Sequence, residues 1–345
     1  MKGVKEFKIN NFDLLRLFAA TEVIIDHYFQ HLKLPISKSS LEILYLFPGV
    51  PMFFIISGYL ISASYERNNN LGIYLKNRAL RIYPGLWGII LVTIIIFSIT
   101  GINFFNTQVL MWLPCQLAGL IYTPGFLANY GFGSYNGSLW TLPIELQFYV
   151  VLPICYFLTP KNRAIYWFCG LFITFLILKV IYETVVLNHF SASGAKLIEY
   201  SFIPHFYLFL AGVVLQKLQL YKSPVIYNKA IYWIITYVLF CLTLPNIINP
   251  VAYELIKNLF LAFCVLSLAY TLPGTAKKLL RTNDVSYGMY IYHGLFLTVI
   301  VQEKVTAYAN IFLLILLTYI VAYLSWIFIE KPFMERKERT IREVE

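Results

Sequence analysis

An arginine and a histidine on one apolar stretch, FDLLRLFAATEVIIDHYF, are the groups in this chain best suited to chemistry, with ten residues between Arg16 and His27. On an α-helix, eleven steps of about 100° make three turns plus roughly 20°, so both side chains share a face about 16 Å apart along the axis. That distance is about half the hydrocarbon thickness of a bilayer. If the stretch spans a membrane, a guanidinium lies near one surface and an imidazole near the other. Ionisable groups at such depth are costly and are read first as functional. An imidazole suits proton transfer at neutral pH, and a guanidinium suits an anionic ligand.

Other polar groups fall on the same kind of background. Glu145 lies about two turns into the apolar segment that follows GSLW. At the depth of His27, its carboxylate would orient the ring and stabilise the protonated form, which favours general-base work on a hydroxyl. The alternative is a polar pair that only fixes helix packing. Asp26 is next to His27 in sequence but points about 100° away on a helix, which makes it the weaker partner. Asp13, one turn before Arg16, is a candidate salt partner; Arg16 reads either as an arginine snorkelling to the headgroups or as an anchor for an anionic ligand.

In RNNNLGIYLKNRALRIYP, Arg78 and Arg81 are spaced i, i+3. Two guanidiniums on one helix side suit bidentate phosphate contacts, although arginines are also expected in any inner loop. In PMFFIISGYLISASY, Ser57 and Gly58 permit close approach of a backbone or a ligand, and Tyr59 adds a hydroxyl. Small-residue packing between helices is the other reading. Ser286, Tyr290 and His293 follow i, i+4, i+7 along SYGMYIYHG, so His293 is either a substrate contact or a buried histidine satisfied by a neighbouring hydroxyl. Lys179 and Glu183, at i, i+4, are expected to pair with each other. His27 and His31 have metal-compatible spacing, but no third ligand is apparent and no metal site is expected. His31 and His205 read as interfacial.

The elements that must position these groups follow from composition. Of 345 residues, 59% are hydrophobic and only 13% charged, whereas a soluble chain carries about 25% charged residues. Mean hydropathy is +0.69. Long apolar runs recur along the whole length, which makes the chain an all-α, polytopic integral membrane protein. Ten spans are expected, at about 12–31, 42–65, 82–100, 138–158, 164–187, 201–217, 230–246, 255–273, 285–303 and 309–329, in a single membrane domain covering 1–345.

The net charge of +10 is topological and not a nucleic-acid footprint. With the N-terminus inside, the inner loops and tails hold twenty of the 27 Lys and Arg residues and the outer side holds five. That asymmetry puts both termini in the cytoplasm. The first apolar run lacks a small-residue cleavage site and reads as a retained helix. The five cysteines have neither metal-site nor redox spacing. The final KPFMERKERTIREVE reads as a short helical or frayed inner tail.

Residues 82–144 contain no Asp, Glu, Lys or Arg. Within them, VLMWLPCQLAGLIY is too short to span comfortably and suggests a re-entrant or interfacial segment. Trp112, Tyr122, Phe126, Tyr130, Phe132 and Tyr135 form either an aromatic belt at headgroup level or a platform for a sugar ring.

Taken together, Arg16 and His27, FFIISGYLI, Arg78-x-x-Arg81, SLWTLPIELQFY with Trp140 and Glu145, and SYGMYIYH resemble the acyltransferase 3 family over nearly the whole chain. Members of that family are multi-pass membrane proteins that O-acylate, mostly O-acetylate, extracytoplasmic carbohydrates such as O-antigen. The resemblance implies an acyl-CoA donor, usually acetyl-CoA, bound from the cytoplasm, and an acceptor hydroxyl on the outer side of the inner (plasma) membrane. It implies that His27 is essential for transfer, that Arg16, Arg78 and Arg81 serve the donor, and that Glu145 supports the site. Ser57 and Tyr59 would line the donor path, while Trp140, Tyr149 and His293 would face the acceptor, a carbohydrate or lipid-linked glycan.

Some members carry a fused SGNH-type domain. The chain ends about fifteen residues after its tenth span, so none is expected here, and the acyl group would go directly to the acceptor or to a partner of polysaccharide assembly. Either His27 deprotonates the hydroxyl for direct attack on the thioester, or it carries the acyl group itself. A transporter or flippase of a lipid-linked sugar would also use ten helices and buried charges, but no internal repeat is visible. An inactive scaffold is disfavoured by the full set of polar motifs.

Overall fold

The computed structural model describes residues 10–68, 70–245, 247–281 and 283–335. The last tail residues, 336–345, and Lys2, Lys5 and Lys8 lie outside the described residues. Among those described, every regular element is helical. Helices α1 (Phe12–His31), α2 (Lys38–Leu44), α3 (Gly49–Asn68), α4 (Leu71–Ile99) and α5 (Thr107–Ala118) precede a short 3₁₀ turn at Gly137–Trp140. Then come α6 (Thr141–Phe157), α7 (Ala164–Ile181), α8 (Ala192–Glu199), α9 (Phe206–Lys217), α10 (Ala230–Thr243), α11 (Pro250–Ala269), α12 (Thr275–Leu280), α13 (Ser286–Gln302) and α14 (Ile311–Ser325).

Six helical stretches are long and apolar enough to cross a membrane: Lys38–Arg67, Leu71–Ile99, Gly137–Phe157, Ala164–His189, Pro250–Ala269 and Ile311–Glu335. The chain is thus a multi-pass membrane protein. Phe206–Lys217 and Ala230–Thr243 are shorter apolar helices at two further expected spans. α1 and α13 are helices at the remaining two.

Boundaries depart from expectation where local chemistry intervenes. The second expected span is interrupted before Gly49 because Pro48 disfavours a helical residue ahead of it. α4 begins eleven residues before its expected start and is 29 residues long, about 43 Å at 1.5 Å per residue. It outreaches a bilayer core of about 30 Å, and its extra turns carry Arg78 and Arg81 as a helical i, i+3 pair. α11 starts at Pro250, with the Asn249 side chain accepting from the backbone N–H groups of Val251 and Ala252. Asn310 caps α14 in the same way.

The chain forms two compact units, each assembled from separate segments. One contains residues up to Ala19, Glu42–Asn70 and Gln147–Thr282. In it α3 and α9 lie backbone to backbone. A Cβ on Gly58 would come within 1.9 Å of the Phe209 carbonyl oxygen, and one on Gly212 within 2.1 Å of that of Ile55. The SGY segment is therefore a helix contact made by missing side chains, the pattern that lets apolar helices touch. Phe148 packs against Phe54, Phe206 and Phe209 beside it. At one end Asn11 donates to the Thr271 carbonyl (2.8 Å) and accepts from the Ala276 N–H (3.0 Å). Lys217 bonds Glu66 at 2.6 Å. Lys179 bonds Glu183 at 2.5 Å, as the spacing predicts, with Glu254 at 3.5 Å.

The other unit contains Ala20–Leu41, Leu71–Leu146 and Asn283–Glu345. α13 is its centre, buried along most of its length against α4, α14 and the Gly137–Trp140 turn. The charge-free region contributes α5, capped by Asn106 and ended by Gly119 at φ 86°. Its aromatics are neither a headgroup belt nor an open platform throughout. Trp112 is fully buried against Phe104, Phe126 and Tyr135, and the Tyr135 hydroxyl donates to Gln116 at 2.5 Å.

The Gly58 and Gly212 contacts give a stability test. Gly58→Leu or Gly212→Leu forces backbone apart, so each should lower the thermal unfolding midpoint in detergent, at a cost of about 1–3 kcal/mol or more. Gly170→Ala, where a Cβ meets nothing within 4 Å, should leave it unchanged.

Candidate active site

α1 carries His27 in its C-terminal half, where the ring is half-buried. The side chain that meets it is His293 of α13, fully buried, with His27 Nδ1 and His293 Nε2 3.0 Å apart. The two ring centroids are 5.1 Å apart. His293 Nδ1 lies 3.1 Å from the Met289 carbonyl oxygen, one turn back on the same helix. Glu145 is thus not the group against the His27 ring. It lies one turn beyond Thr141 on α6, within electrostatic reach of Tyr287 and Tyr290. Thr141 and Tyr290 share a hydroxyl hydrogen bond of 2.8 Å.

His31 extends the cluster. Its ring lies 5.0 Å from that of His27 and stacks on Phe132 at 3.9 Å with an interplanar angle of 6°. His31 is therefore part of this cluster and not simply interfacial. Three imidazoles in succession invite a metal reading, yet among the described residues no three His, Cys, Asp or Glu side chains are arranged to hold an ion. The five cysteines are free thiols.

The chain approaches α13 here because Gly294 has no side chain. A Cβ on it would stand 2.2 Å from Asn136 Oδ1 and 2.7 Å from Ser138 Oγ. With only hydrogen there, Asn136 donates to the Ile291 carbonyl at 2.8 Å while its Oδ1 accepts from Ser138 Oγ at 2.6 Å. The turn leading into Trp140 is thereby fixed against the residue next to His293. Trp140 itself is half-buried.

Just before the start of α13, Arg81 is bonded to Asp284 at 2.5 Å, and Asp284 also accepts from Ser286 Oγ at 2.5 Å. The Arg81 guanidinium lies 5.9 Å from the Tyr287 ring. Arg78 lies 6.0 Å from the Tyr74 ring. Arg81 thus has a carboxylate partner in Asp284.

Glu330 closes the Trp326–Glu330 π-turn and is 1% exposed. Its Oε1 accepts from Ser325 at 3.1 Å, while Oε2 has no partner among the described residues. Sequence reasoning passed over Glu330, which stood just beyond the last expected span. It also passed over Glu22, 7% exposed on α1, although the quoted stretch contains it.

The remaining expected site residues belong to the first unit. Arg16 has Asp13 at 3.4 Å, the partner its spacing predicts. Tyr59 is buried against Phe12 and shares a 3.1 Å hydroxyl contact with Tyr270. Ser57 and Tyr149 are buried there as well. His205 bonds the Glu199 carbonyl at 2.9 Å.

Comparison with known proteins agrees with this arrangement of motifs. The chain is 28% identical to nodulation protein 10 of Rhizobium leguminosarum bv. viciae, over 94% of this chain and 93% of that one. It is 24% identical to an O-acetyl transferase of Shigella phage Sf6, over 95% and 97%. A shorter match, 29% identical over 31% of this chain and 19% of the relative, is to a peptidoglycan O-acetyltransferase of Listeria monocytogenes serovar 1/2a. No solved structure matches significantly. The acyltransferase 3 family, described as an acyltransferase domain, matches residues 9–330 and so encloses every candidate site residue; the chain belongs to that family and is an acyltransferase.

Proposed function

We propose that this acyltransferase moves an acetyl group from acetyl-CoA to a hydroxyl of an extracytoplasmic carbohydrate, with His27 as general base. The observation that carries the reading is the His27–His293 pair inside the acyltransferase domain. It gives a half-buried imidazole one engaged nitrogen, Nδ1, while Nε2 makes no hydrogen bond among the described residues. The relatives named for O-acetyl transfer, one of them for peptidoglycan, support a glycan hydroxyl as acceptor.

In the proposed reaction the acceptor oxygen attacks the thioester carbonyl as its proton passes to His27 Nε2. The tetrahedral intermediate then expels the CoA thiolate, which takes that proton and leaves as the thiol. General-base help of this kind is worth about 10²–10⁴-fold in rate. Glu145 supports the site through the Tyr287 and Tyr290 hydroxyls, and Trp140 and Tyr149 contact the acceptor. Arg16, Arg78 and Arg81 hold the donor phosphates. Ser57 and Tyr59 line the path of the pantetheine arm.

The charge asymmetry of the loops supports ten crossings with both termini cytoplasmic, in the inner (plasma) membrane. CoA is multiply charged and stays on the cytoplasmic side, so the reactive end of its arm must reach the acceptor across the bilayer. Family membership disfavours the flippase reading.

The test is acetyl transfer from labelled acetyl-CoA to candidate surface glycans by purified protein. His27→Ala should reduce it at least about 100-fold; undiminished transfer, or glycan movement without any donor, would contradict the reading. Arg16→Ala and Arg78→Ala should each raise the KM for acetyl-CoA about tenfold, the effect of one charge-assisted contact of about 1.4 kcal/mol. An unchanged KM removes the arginine from the donor site. Arg81→Ala should also lower the thermal midpoint, because Asp284 loses its cation.

A further inference from the structure

The pairing of two histidines fixes which nitrogen of each ring carries a proton. The Met289 carbonyl can only accept, so His293 Nδ1, 3.1 Å away, carries hydrogen. In the neutral ring, Nε2 is then a bare acceptor. The atom facing it at 3.0 Å is His27 Nδ1, which must therefore be the donor. His27 is left with a bare Nε2. We propose that His293 is a positioning residue that holds His27 as its Nδ1–H tautomer, through a chain of carbonyl, histidine and histidine, so that Nε2 is always ready to take the acceptor's proton.

This inference rests on the reading of His27 as general base and assigns His293 a role other than the substrate contact expected from sequence. The logic is that of any catalytic imidazole whose second nitrogen is held by an orienting partner. Here the orienter is a neutral ring and not a carboxylate. A carboxylate would add a charge to a side chain that is wholly buried, whereas a neutral imidazole fixes the tautomer without one.

The arrangement also explains why α13 is so firmly held around His293. Gly294 admits Asn136 and Ser138 against the helix, and Tyr290 is tied to Thr141. A ring that sets a tautomer must not drift by even half an ångström. In water the other tautomer, with hydrogen on Nε2, is the favoured form of a neutral imidazole, so without His293 most of His27 would present a donor where the reaction needs a base.

Two measurements test the relay. The first is nitrogen NMR of ¹⁵N-histidine protein in lipid, with His27 assigned by difference against His27→Gln. The relay expects hydrogen on Nδ1 of His27 and none on Nε2; hydrogen on Nε2 overturns it. The second compares His293→Gln with His293→Leu. The glutamine amide oxygen reaches the place of the lost Nε2 and can still accept from His27, so kcat should stay within about tenfold of wild type. The leucine variant cannot accept, and its kcat should fall about 10²–10³-fold with the KM for acetyl-CoA within about twofold. An undiminished kcat in His293→Leu, or equal loss in both variants, overturns the relay. If His27→Ala is inactive while His293→Leu is fully active, the relay fails and the general-base reading survives. If His27→Ala is active, that reading itself fails.

Discussion

Any polar group removed from water needs a partner, and most of the interior of this chain is organised by that requirement. In the unit built around α13, one helix meets the demand at two levels. Near its start Asp284 takes the Arg81 charge, and two turns into the helix His293 meets His27. Ser286 to His293 spans seven residues, about 10 Å. One rigid element thus holds an arginine at its start and the proposed base at its middle, and the spacing between them cannot change without breaking the helix.

The first unit follows the same rule by different means. Its helices approach closely at Gly58 and Gly212 because there is nothing between the backbones. Its buried charges are matched, Lys217 by Glu66 and Lys179 by Glu183. Neither lysine needs a catalytic explanation, and Lys179 was expected to have none.

The sequence made the helices legible because apolar runs of the required length are a strong signal and few other folds produce them. Local spacing was equally readable: Asp13 beside Arg16 and Glu183 beside Lys179 are i, i+3 and i, i+4 neighbours. The early start of α4 was hidden, since LGIYLKNRALRI looks like a loop by hydropathy and is helical by propensity. The aromatic segment was misplaced because Trp112 and Tyr135 are interior, and no period of two or 3.6 distinguishes an aromatic that packs inward from one at the headgroups. The central contact was out of reach. His27 and His293 are 266 residues apart, and estimated depth favoured Glu145, which instead lies within electrostatic reach of Tyr287 and Tyr290 of α13. Depth along a helix says nothing about which face meets which neighbour.

Transfer by the proposed route requires donor and acceptor to meet from opposite sides of a bilayer. Reconstituting the protein in one orientation in sealed vesicles, with labelled acetyl-CoA confined to the side of the N- and C-termini, tests this directly. A glycan supplied on the far side should be acetylated, and none should be when acetyl-CoA is moved to that side with the glycan. Equal transfer with donor and acceptor together on the far side would contradict the proposed route.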